Sequence, residues 1–119
     1  MALGNRKLRP AIFSSASQDE IRSLPREVQF VFGQALYEVQ CGDTPEIAKP
    51  MKGFGSGIYE LRDVFQGNAY RLVYCVKLLK GIYVLRVFQK KSIRGIATPK
   101  RELDLIRERY QRAKLEDGC

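Results

Sequence analysis

Four cations, Arg62, Arg71, Arg86 and Lys90, stand inside runs where apolar and polar residues alternate. Alternation at period two places every second side chain on one face of a strand, so cations from neighbouring strands share a surface. The runs are Ile58–Phe65, Ala69–Leu79 and Ile82–Lys90. One face collects Tyr59, Leu61, Phe65, Tyr70, Leu72, Tyr74, Val76, Leu78, Tyr83, Leu85 and Val87, which must pack on helices. The other collects Glu60, Arg62, Arg71, Val73, Cys75, Lys77, Ile82, Val84, Arg86, Phe88 and Lys90. A solvated polar face is the plain reading of such a surface. Like charges on adjacent strands cost stability, however, and Glu60 alone balances them here, so the cluster is expected to hold an anion. Phe88 on that face suits base stacking, whereas Tyr59, Tyr74 and Tyr83 fall on the core face.

Two loops extend the basic surface. Phe88-Gln89-Lys90-Lys91-Ser92, continuing to Arg94-Gly95, reads either as a phosphate-gripping loop or as a solvated one. Met51-Lys52-Gly53-Phe54-Gly55-Ser56-Gly57 matches neither a Walker A loop nor a dinucleotide fingerprint, so a flexible connection is its default. Without histidine, His-ligated zinc hydrolysis, Ser-His-Asp triads and any imidazole base are excluded. No paired carboxylates, Ser/Lys dyad or metal cluster stands out, and no cofactor is implied. Cys75 on the cationic face is either a thiol acidified by Arg71 and Arg86 or, more simply, a small strand filler.

The elements that must position these residues follow from punctuation and periodicity. Leu8–Ser14 reads as a short strand, with Pro10 marking an edge position. Ser17 and Glu20 form a capping-box pattern, predicting a helix over Gln18–Leu24 that stops before Pro25. A second helix follows from Pro25 to Gln40, with Val28, Phe32, Ala35 and Val39 on one side and Gly42 as its stop. Residues 42–57 are a loop rich in Gly and Pro. The three strands, turning at Gln66-Gly67-Asn68 and Lys80-Gly81, make an antiparallel meander. Thr98 as N-cap and Pro99 open a final helix with an apolar stripe of Leu103, Ile106, Tyr110 and Ala113. Its remaining cations, Lys100, Arg101, Arg107, Arg109, Arg112 and Lys114, suit a recognition helix, a docking face or a solvated one. The fold class is α+β: an N-terminal strand and two-helix hairpin, a three-stranded antiparallel meander and a C-terminal helix.

At 119 residues, 45% hydrophobic and 29% charged, the chain suits one domain with a real core. Its formal charge of +8 lies wholly after residue 70, where 13 basic residues face 5 acidic ones, against 8 and 8 before it. Such asymmetry favours a polyanion such as nucleic acid, or an acidic protein that masks the surface. Cys41, Cys75 and Cys119 fit neither a disulfide framework nor a CxxC metal site, so reduced thiols are expected. No signal-like or membrane-spanning run is present, and a soluble, cytoplasmic protein without membrane contact is the expectation.

Several motifs in order resemble a known family: Lys49-Pro50-Met51-Lys52-Gly53, Tyr59-Glu60-Leu61-Arg62, Tyr70-Arg71-Leu72-Val73-Tyr74, Tyr83-Val84-Leu85, Phe88-Gln89-Lys90-Lys91-Ser92 and Ala97-Thr98-Pro99-Lys100-Arg101-Glu102. Leu24-Pro25-Arg26-Glu27-Val28 and Gly33-Gln34-Ala35-Leu36-Tyr37 add to the match. Over roughly residues 8–114 the chain resembles the phage-derived HigB-like toxins of the RelE/ParE superfamily. The resemblance implies a single toxin domain over residues 1–119, of the type II toxin–antitoxin kind. It also implies ribosome-dependent mRNA cleavage that leaves a cyclic phosphate. Arg62 and Arg71 would then clamp the phosphate, Arg86 would supply further charge, and Lys90 would assist proton transfer. Lys52, Phe88, Lys91 and Arg94 would contact RNA. The implied partners are a helix-turn-helix antitoxin, bound in a hetero-oligomer, and the ribosome with its mRNA. Many members of the family that the chain resembles carry His at the position of Arg86, and an arginine there offers charge but no proton at neutral pH. A ParE-like gyrase inhibitor and a non-catalytic nucleic-acid-binding domain are the alternatives.

Overall fold

A computed structural model of the chain describes residues 8–90 and 98–118. In order these form β1 (Ala11–Phe13), α1 (Ser15–Arg22), α2 (Arg26–Gln40), β2 (Ala48–Pro50), β3 (Ile58–Phe65), β4 (Asn68–Cys75), β5 (Ile82–Lys90) and α3 (Lys100–Glu116). The strands make one five-stranded sheet in the order β1-β5-β4-β3-β2, in which β1 runs parallel to β5 and the other pairs are antiparallel. The α+β layout read from the sequence is the one observed.

The tight hairpin between β3 and β4 is built on two residues with positive φ, Gln66 at 50° and Gly67 at 79°. That geometry matches the right-handed twist of the strands and sets the register in which Phe65 faces Asn68. Arg62 consequently lies opposite Arg71. Gly42, at φ 98°, ends α2 with the Gly42 N–H donating to Val39 O and the Asp43 N–H to Glu38 O, both at 2.9 Å. This paired closure satisfies the last carbonyls of the helix.

Both faces of the sheet are covered. On one side α2 buries Val28, Phe32, Leu36 and Val39, with Ile21 of α1 packed alongside, against Leu61, Leu72, Tyr74, Ile82, Val84 and Val87. On the other, α3 lays Ile106 and Ala113, flanked by Leu103 and Tyr110, over Val73, Cys75, Tyr83, Leu85 and Phe88. The apolar stripe of α3 is the predicted one.

Several expectations are corrected. The first helix starts three residues early: Ser14 is the N-cap, and Ser14 and Ser17 exchange the reciprocal capping bonds. Ser17 has the better-placed acid downstream, but Glu20 is drawn away by other partners described below. β2 forms inside the expected loop, and β4 stops at Cys75 instead of Leu79. Thr98 does not cap α3; Pro99 occupies the N-cap position without a side-chain bond.

The largest correction concerns the faces. The register slips between β4 and β5, with Val73 opposite Arg86 but Tyr74 opposite Val84, so Leu85 is an extra residue. One extra residue inverts the alternation on its N-terminal side. Tyr83 and Leu85 therefore turn to the α3 side, and Ile82 and Val84 turn to the α1–α2 side, opposite to the strict period-two sorting. The supposedly open cationic face is for much of its length a second core.

Candidate functional site

The part of that face which α3 leaves uncovered is where the charges gather. Glu60 and Arg62 stand two apart on β3, on the same face, and β3–β4 pairing brings Arg71 beside them. The Glu60 side chain lies inside the protein, 4% exposed. Its Oε1 accepts from Arg62 Nε at 3.0 Å and stands 3.6 Å from Arg71 Nε. Thr98 Oγ1 lies 3.5 Å from Glu60 Oε2. Arg71 is 9% exposed and donates through Nη1 to the Tyr70 carbonyl at 3.1 Å, while the Arg62 side chain is half exposed.

Lys90 joins this group at the end of β5, opposite Ala69 and two residues from the partner of Arg71. Burial, then the positive charge of Arg71, holds its ammonium pKa below the ordinary lysine value; Glu60 opposes the shift and Arg62 adds to it. Burial likewise lowers Arg71, against the attraction of Glu60. Three cations around one carboxylate can bind a phosphodiester, and a lysine with a lowered pKa can exchange a proton.

A second ionic group sits apart, between α1, β5 and α3. Arg86 Nη1 meets Glu20 Oε2 at 2.6 Å, and its Nε meets Glu102 Oε1 at 2.6 Å. Arg109 reaches Glu20 Oε1 at 2.9 Å and the Leu85 carbonyl at 3.0 Å, and the Val87 N–H donates to Glu20 Oε1 at 3.1 Å. Burial pushes Glu20 up, but its bond from Arg109, the Val87 N–H and the charge of Arg86 outweigh that and hold it below the ordinary carboxylate value. The Glu102 hydrogen bond raises Arg86 further.

Arg86 is therefore tied by two carboxylates and is not gathered with Arg62, Arg71 and Lys90. Phe88 is 6% exposed in the α3-side core, with the Arg86 guanidinium 5.3 Å from its ring centre, so it presents no open face for a base. Lys52 is exposed in the loop after β2, beyond the Pro50–Tyr59 pair, on the far side of that pair from Arg62. Lys91 and Arg94 lie outside the described residues. Cys75 is buried and its thiol is pushed up to about 11 by burial, which makes it the strand filler and not an acidified thiol. Among the described residues no His/Cys/Asp/Glu group could hold a metal, and no helix is long and apolar enough to cross a membrane.

Glu60 was legible only as an odd acid on a basic face; that it anchors two arginines is a tertiary fact. Glu20 read as a helix-capping acid and Glu102 as part of a motif, and nothing tied either to Arg86, which lies 66 residues from Glu20.

The family model described as phage derived protein Gp49-like (DUF891) matches residues 19–111. The chain belongs to the Gp49-like family. That Gp49-like span runs from Asp19 in α1 to Gln111 in α3 and contains Glu60, Arg62, Arg71 and Lys90. No curated protein matches this Gp49-like chain in sequence. Among solved structures, the free E. coli toxin RelE, as an arginine-to-alanine double mutant, aligns at a TM-score of 0.58 with 21% identity, over 88% of this chain and 97% of that one. The two share a fold. The RelBE2 toxin–antitoxin complex of Mycobacterium tuberculosis aligns at 0.49 with 17% identity, over 67% of this chain and 95% of that one.

Proposed function

We propose that this Gp49-like protein is a type II toxin of the HigB-like kind, a cytoplasmic, ribosome-dependent mRNA endoribonuclease held in check by a helix-turn-helix antitoxin. The observation that carries the reading is the gathering of Arg62, Arg71 and the buried Lys90 around Glu60 on one sheet face. The fold shared with RelE and the ordered sequence motifs support it.

In this reading the substrate's own 2′-OH is the nucleophile. Lys90, whose pKa burial and the two arginines lower against Glu60, takes the 2′ proton when it is in its amine form, as the oxygen bonds to phosphorus. Arg62 and Arg71 stabilise the extra negative charge of the five-coordinate phosphorus. The bond to the 5′ oxygen then breaks, that oxygen takes a proton from solvent water while Lys90 returns its own to solvent, and a 2′,3′-cyclic phosphate and a free 5′-OH result. Arginine stays charged throughout, so it suits the clamp and not the proton transfer.

Primer extension on cellular mRNA after brief expression tests the reading. New 5′ ends within codons are expected, and both they and growth arrest should disappear in Arg71→Ala and Lys90→Ala. Full toxicity in both variants overturns the site assignment. Loss of DNA supercoiling without new 5′ ends would instead identify a gyrase inhibitor.

A further inference from the structure

Glu60 is an odd residue for a site that binds an anion. A carboxylate beside a phosphodiester opposes binding, and burying one is costly unless it is paired. It is nevertheless buried, at an interior position of β3 whose neighbours Tyr59 and Leu61 pack into the opposite core. Its backbone is fixed by pairing with Val73 on β4 and Lys49 on β2. Strand pairing holds its Cα in place beside Arg62 and Arg71.

We propose that Glu60 is a positioning residue: a fixed counter-ion that grips Arg62 and Arg71 by their Nε atoms and aims them at the phosphodiester, at some expense in affinity. Arg62 donates to Glu60 Oε1 through Nε, Arg71 Nε stands 3.6 Å from the same oxygen, and Arg71 Nη1 is taken by the Tyr70 carbonyl. Without the carboxylate, three cations from adjacent strands face one another across a low-polarity surface, and the exposed Arg62 loses the partner that orders it. Glu60 also opposes the lowering of the Lys90 pKa by burial, Arg71 and Arg62, so removing its charge should lower that pKa further. Among the described residues, the charged groups that act on Lys90 include Arg71 from β4 and Arg62 and Glu60 from β3. The inference rests on the endoribonuclease reading.

It predicts a split that a purely structural role would not produce. Glu60→Gln should bind a 2′-deoxy, non-cleavable oligonucleotide more tightly than the wild type, because a repelling charge is gone. Its cleavage plateau on ribosome-bound mRNA should fall roughly tenfold or more, as expected for a misaligned clamp. The midpoint of its pH–rate profile should move to lower pH. Glu60→Asp keeps the charge but withdraws it from Arg62, so it should lose plateau rate while its midpoint stays near that of the wild type. Weaker binding with proportionately slower cleavage, or a wild-type plateau in Glu60→Gln, overturns the proposal. The Lys90 side chain is titrated by NMR in the free protein in parallel. An unmoved Lys90 in Glu60→Gln overturns the proposal even if no cleavage is ever seen. Absence of new 5′ ends with the wild-type protein overturns the endoribonuclease reading instead.

Discussion

Two titratable side chains, Lys90 and Glu20, show how position alone gives a residue its task. Lys90 has a lowered pKa from burial and its cationic neighbours, so cleavage should rise with pH and level off below the range of an ordinary lysine. Lys90→Arg keeps the charge, cannot release the proton, and should leave cleavage close to that of Lys90→Ala in the same pH series. Glu20 shows the opposite sign. Its folded-state pKa lies below its unfolded one, so its contribution to stability is present above the ordinary carboxylate range and is lost as pH falls through the lowered value. Glu20→Gln should cost about 2 kcal/mol at neutral pH, the scale of charge-assisted hydrogen bonds. Chemical denaturation at pH 7 and again below pH 4 should show that difference shrink in acid.

At the scale of elements, β5 is the strand on which the rest depends. β1 pairs with it over three residues only, which leaves its edge open beyond Val84. Glu20 and Arg109 close that edge by taking the Val87 N–H and capping the Leu85 carbonyl. Its entry is held from two sides. Arg9 donates to the Val76, Leu78 and Gly81 carbonyls, and the buried Asp117, just past α3, accepts from the Leu79 and Lys80 N–H groups at 2.7 Å and from the Tyr83 hydroxyl at 3.1 Å. Burial, then that bond, pushes the Tyr83 phenol up to about 12. Asp117→Ala would strand two backbone donors and should lower the unfolding free energy by about 2–3 kcal/mol in urea melts. Gly81→Ala should also destabilise the fold, because a Cβ there would collide with the Pro10 carbonyl that accepts the Ile82 N–H. A normal melting temperature in Gly81→Ala would contradict this account of the β1–β5 junction.

For the molecule as a whole, two cores on opposite sides of one sheet leave little of that sheet in contact with solvent. Short edge strands carrying or flanked by proline, β1 after Pro10 and β2 ending at Pro50, protect the sheet from pairing with other chains. The charge of +8 then acts from the uncovered patch, the loops and α3. Affinity for RNA should fall with salt, with a slope of about −0.7 for each phosphate neutralised, and Arg62→Ala should reduce that slope by roughly one contact. Filter binding of a non-cleavable oligonucleotide across a salt series measures it, and an unchanged slope would remove Arg62 from the phosphate contacts.

The sequence by itself determined the order of the helices and of every strand but β2, the three-stranded meander, the edge role of Pro10 and the apolar stripe of α3, because turns and periodicity are local signals. It also brought Arg62, Arg71 and Lys90 to one face, since alternation over β3 and β4 is regular. Only the tertiary structure decided that Arg86 and Phe88 serve α3, that Glu60 sits between two arginines, and that Glu20 and Asp117 satisfy distant backbone groups. The reason is physical: a single bulged residue, Leu85, inverts the faces of the first part of β5, and nothing in its side chain announces it. Ion pairs across 66 residues depend on how α1 and α3 dock on that strand, which no pattern along the chain encodes.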